Sequence, residues 1–84
     1  MPRYFIDTFD HIAVVDDVGH DLPDEAALRR TMRETLVGML GAEYKDEPSA
    51  TFRAEARDEA GTPVLTATAL VVITDPPRRM VIAA

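Results

Sequence analysis

The chain is predicted to be an α+β domain of order β-β-α-β-β, an antiparallel sheet with one helix packed on one face. Three observations carry this. Residues 3–9, 51–58 and 64–74 favour extended backbone, with clean two-residue alternation at 51–58. Residues 24–40 hold an apolar stripe at helical period. The connections are short, whereas parallel neighbours need a crossover of a dozen residues or more. A chain of 84 residues makes one domain, and at that size only about 60–65% of the unfolded surface is buried. Residues 1–77 are expected to form it, with 78–84 as a flexible C-terminal tail.

The first strand, residues 3–9, is rich in β-formers and places Tyr4, Ile6 and Thr8 on one face and Phe5, Asp7 and Phe9 on the other. Asp10-His11 supplies a polar turn, and Ile12 to Val15 reads as a second short strand closing a hairpin. Asp16 to Asp21 is predicted to be a loop in which Gly19 takes a positive φ.

Asp24 is placed to accept hydrogen bonds from the free amides of a first helical turn, Glu25 complements the dipole, and Pro23 is expected to staple onto Leu28. The stripe runs Leu28, Met32, Leu36, Met39, while Val37 points about 180° from Leu28. The second half of the helix therefore needs cover on more than one side. Gly38 and Gly41 each weaken the helix by about 1 kcal/mol relative to Ala, so it should fray or end between Gly41 and Tyr44, with Lys45 to Pro48 as linker.

From Thr51 to Asp58, Phe52, Ala54 and Ala56 alternate with Arg53, Glu55 and Arg57. Asp58-Glu59-Ala60-Gly61 suits a type I turn. For Arg53, Glu55 and Arg57 to lie beside Thr66 and Thr68, Asp58 must sit opposite Gly61 or Pro63 and not Thr62, because a one-residue slip would expose Leu65, Ala67 and Ala69 next to the arginines. Pro63 as the first strand residue favours the longer loop, Glu59 to Thr62.

A net charge of −6 opposes attraction to phosphate backbones, so nucleic acid is not an expected partner. The absence of Cys rules out disulfides and thiolate chemistry. No stretch reaches the ~20 apolar residues of a membrane span, and a cytoplasmic location is the default expectation.

Six Asp and both His fall between Asp7 and Asp24, and Asp16, Asp17, His20 and Asp21 are the candidate ligands if this loop holds a divalent cation. Their spacing matches no calcium or zinc motif, and turn, loop and cap roles account for the same aspartates, so neither a metal nor a cofactor is expected. Ile12 to Asp17 resembles the first strand and acidic pair of response-regulator receiver domains, but the chain is too short for that fold. The one Ser, Ser49, has no His nearby in sequence, leaving little material for nucleophilic catalysis. The arginines of the helix, Arg29, Arg30 and Arg33, read as a solvated face paired with Glu25 and Glu34.

The opening Pro2 to Asp7, the D-x-x-G-x-x-L-P-D element from Asp16 to Asp24 and the Arg57-Asp58-Glu59-Ala60-Gly61 hairpin together resemble a family of small bacterial proteins of unknown function. The likeness covers most of residues 2–74. It implies a strand start, a helix entry and a turn, and carries over no catalytic residue.

One helix covers one sheet face, and the chain holds more large apolar residues than that contact buries. Tyr4, Phe5, Val37, Leu70 and Val72 are the candidate interface residues. The expected function is that of a non-enzymatic interaction module, a homodimer or a partner of another protein. A metal- or small-ligand-binding domain built on the Asp/His-rich loop is the alternative.

Overall fold

In the computed structural model, which describes residues 1–43 and 49–76, the chain runs β1 (Arg3–Phe9), β2 (Ala13–Val14), β3 (His20–Asp21), α1 (Glu25–Glu43), β4 (Ser49–Arg57) and β5 (Pro63–Val72). The sheet order is β2-β1-β4-β5, with β3 also paired to β1, and the pairings are antiparallel. The α+β class, with one helix among the described residues, is as the sequence predicts. The linker Lys45 to Pro48 and the tail 78–84 lie outside the described residues.

One element is additional. The segment read as a loop contains β3, where His20 and Asp21 pair with Tyr4 and Arg3. Two residues show no alternation, so no pattern announces such a strand. It is held by a bond from Leu22 N to Pro2 O at 3.0 Å and by the ion pair of Arg3 with Asp21.

The helix entry follows its cap. Asp24 Oδ1 accepts from Ala27 N at 2.8 Å, and Asp24 O accepts the first helical bond from Leu28 N. Pro23 is exposed, and it is Leu22 that packs against the core at this entry. Glu25 pairs with Arg29 one turn on, at 2.8 Å. The helix continues past Gly38 and Gly41 to Glu43.

The stripe and the alternating strand meet in one core of Ile6, Leu28, Met32, Leu36, Phe52, Ala54 and Ala56. Leu28 and Met32 are fully buried in this cluster, which also holds the small side chains of Ala54 and Ala56 from β4. Complete burial of one such large side chain contributes roughly 1.5–3 kcal/mol. Leu65, Ala67 and Ala69 of β5 extend this face at partial burial.

The β4–β5 hairpin corrects the register argument at its tip. Arg53 pairs with Thr68 and Glu55 with Thr66, as the polarity match requires, but a bulge between Ala56 and Arg57 shifts the register so that Arg57 faces Pro63. Asp58 N consequently donates to Thr62 O at 3.0 Å, the partner an unbroken ladder forbids. The bulge absorbs the one-residue slip at Val64, which is exposed, and keeps Leu65, Ala67 and Ala69 against the core. Gly61 N donates to Asp58 O, and Gly61 has φ 82°, a type I turn closed by a left-handed residue.

Candidate functional site

The Asp-rich segment is a clamp built on side-chain acceptors. β1 is paired with β3 at Arg3 and Tyr4 and with β2 at Thr8 and Phe9, which leaves the amide of Ile6 without a strand partner on that edge. Asp16 fills the gap, its Oδ2 accepting from Ile6 N at 3.0 Å. Its Oδ1 accepts from Val18 N and Gly19 N at 3.0 and 2.9 Å, folding the D-x-x-G loop onto the carboxylate. Burial pushes the Asp16 carboxyl up, but the bonds from Gly19, Ile6 and Val18 and the nearby His20 imidazole outweigh it and hold the group below its ordinary value.

Two further pairs brace this loop. Asp16 N donates to Asp7 Oδ1 at 2.9 Å, Asp7 Oδ2 accepts from Arg57 Nε at 3.1 Å, and Arg57 Nη2 donates to Asp16 O at 2.8 Å. The Arg57 guanidinium also lies 4.7 Å from the centre of the Phe5 ring. At the other end Arg3 grips Asp21 through Nε and Nη2 at 3.0 and 3.2 Å. That hydrogen bond, with the attraction of the two charges, raises the Arg3 pKa and lowers that of Asp21.

Asp16 and His20 are brought together, with His20 Nε2 at 3.4 Å from Asp16 Oδ2, whereas Asp21 is turned to Arg3 and Asp17 is exposed. The Asp16 and Asp21 oxygens face protein donors. Among the described residues no three His, Asp or Glu side chains converge as a metal centre would need. Sequence reasoning missed Asp7 and Arg57 as parts of the clamp. The available signal was the two-residue spacing of Phe5, Asp7 and Phe9 against Arg53, Glu55 and Arg57, which sets Phe5 opposite Arg57 and Phe9 opposite Arg53 in the sheet.

The second surface is apolar. Val37, Leu70, Val72 and Ile73 are 62, 63, 55 and 60% exposed. Between α1 and β5 runs an open groove of about 350 Å³ whose lining includes Leu36, Val37, Leu40, Leu65 and Ala67. Tyr4 and Phe5 are half-buried and lie elsewhere, Tyr4 against the core and Phe5 beneath Arg57. No described helix is long and apolar enough to cross a membrane.

Neither a curated protein nor a solved structure matches the chain. A family model matches residues 3–71, which span every strand from β1 through most of β5 and the whole of α1. The chain belongs to the family described as Domain of unknown function (DUF6894).

Proposed function

We propose that this chain is a non-enzymatic interaction module that self-associates as a homodimer, acting in the cytoplasm. The observation that carries the reading is the concentration of exposed large apolar residues, Leu70, Val72 and Ile73, at the end of β5, with Val37 on the helix. Water-exposed apolar patches of this kind mark contact surfaces. A two-fold pairing of copies is the commonest way to cover one without a second protein species. The acidic net charge of −6 disfavours nucleic acid as the partner. Val37, Leu70 and Val72 are the contact residues of this reading.

The metal- or small-ligand alternative draws less support. Asp16 and Asp21 already satisfy amide and guanidinium donors, and recruiting them to a cation breaks those bonds. Thermal melts with and without millimolar Zn²⁺ or Mn²⁺ decide between the two readings, because saturation at a hundred times Kd adds about 2.7 kcal/mol. An unchanged melting temperature agrees with the interaction module.

The direct test is a pair of charge substitutions, Leu70→Glu and Val37→Glu, each at an exposed position. Both variants should remain folded by circular dichroism and elute as monomers. Unaltered elution of both as dimers removes this surface from the account.

A further inference from the structure

Resting on the self-association reading, the geometry points to its mode: β5 pairs edge to edge, antiparallel, with β5 of a second copy, and the two sheets become one. The two edges of this sheet differ in kind. On one side β2 and β3 are two-residue strands and an aspartate side chain, Asp16, occupies the amide between them, which breaks up that edge among the described residues. On the other side β5 presents ten residues, Pro63–Val72, with no charged side chain and with proline only at the first position. The register shift places one bulged residue, Val64, near the start of β5, and beyond it Leu65 to Val72 run as a regular edge. Long uncharged edges of this kind accept another strand.

The bonding pattern identifies which groups have no partner among the described residues. Ile6 N points to Asp16 and hence away from β4, so its pair with Ala56 is a non-hydrogen-bonded one and Ala56 turns its amide to β5. Alternation through Ala56–Leu65, Ala54–Ala67 and Phe52–Ala69 then leaves the N–H and C=O of Thr66, Thr68, Leu70 and Val72 facing outward. Four alternate residues with outward backbone groups are a self-complementary ladder for an identical strand running the other way.

A second copy fits in three respects. The edge carries no charge, so two chains of net charge −6 meet there without opposed side chains. A two-fold at Thr68 pairs Thr66 with Leu70 of the other copy, covering the exposed leucine, and brings Val64 opposite Val72 at each end. The same axis brings the two α1 helices alongside, so that Val37 and Leu40 of each groove face the other copy, with Arg29, which pairs with Glu25, and Arg33 on the same lining. The joined flank is about 34 Å long and about 20 Å deep, sheet plus helix. Two copies bury roughly 1,200 Å² in total, within the range of specific interfaces.

The chain has no Cys, so a single introduced thiol reports the pairing. In Thr68→Cys, an exposed position, the two thiols meet directly, or diagonally at about 7–8 Å if the axis lies one residue away. A short bis-maleimide should convert most of this variant to covalent dimer at micromolar concentration, while Val14→Cys on the opposite edge stays monomeric. A dimer by light scattering in which Thr68→Cys cross-links no better than Val14→Cys overturns edge pairing and leaves self-association intact. A monomer by light scattering overturns both.

Discussion

Arg57 Nε donates to Asp7 Oδ2 at 3.1 Å across the two central strands, joining residues 50 positions apart. The same guanidinium reaches the Asp16 carbonyl and stacks on Phe5, so one side chain ties the hairpin of β4 and β5 to the loop before the helix.

Arg57→Ala should destabilise the domain by about 1.5–3 kcal/mol, the usual worth of hydrogen bonds to a charged group. Arg57→Lys should recover little of it, because an ammonium lacks the planar fork that serves Asp7 and Asp16 together. Urea unfolding of the three proteins measures both. A lysine variant as stable as the parent would show that charge alone suffices.

The glycines divide by conformation and space. Gly19 has φ 85°, and a Cβ there would stand 2.9 Å from Arg3 Cγ and Cδ and 3.1 Å from the Phe5 ring. Left-handed backbone costs an L-residue about 1–2 kcal/mol, so Gly19→Ala should lose at least that. Gly38 lies within α1 with nothing within 4 Å of an added Cβ, and Gly38→Ala should gain about 1 kcal/mol. Opposite signs in thermal melts are the expected result.

Asp16 sets an acid limit. Its carboxyl is held below its ordinary value in the folded chain, so its contribution is present above the unfolded value and disappears as pH falls through the folded one. Stability should therefore decline below about pH 4, in the range of unperturbed aspartates. Asp16→Asn, which sets an amide group among N–H donors, should lower stability at pH 7 and flatten that decline. A slope unchanged from the parent would assign the acid sensitivity to other carboxylates.

Truncation in the core should be severe. Phe52→Ala or Leu36→Ala removes a side chain at 4 or 6% exposure and should cost about 2–5 kcal/mol. Asp24→Ala should cost about 1 kcal/mol through the lost cap. Chemical denaturation that ranks Asp24 above Phe52 would contradict the packing described.

The parts legible in the sequence are those governed by local period and chemistry. Leu28, Met32 and Leu36 announce the helix face, Phe52, Ala54 and Ala56 the sheet face, and Asp24 the cap. What stayed hidden depends on tertiary contacts. β3 exists because Arg3 meets Asp21 and Pro2 meets Leu22, and two residues carry no alternation. The bulge at Ala56 and Arg57 shows only once both strands are laid side by side. In the loop the residue types were legible but their use was not, since an aspartate bonding amides reads in sequence like one awaiting a cation. Val37, Leu70 and Val72 were readable as surplus apolar surface, whereas the free edge of β5 follows from strand order.

Light scattering of the unmodified protein at micromolar concentration tests the central claim most directly. A molar mass twice that of the chain is the predicted result. A mass equal to one chain across that range contradicts self-association and, with it, the pairing of β5.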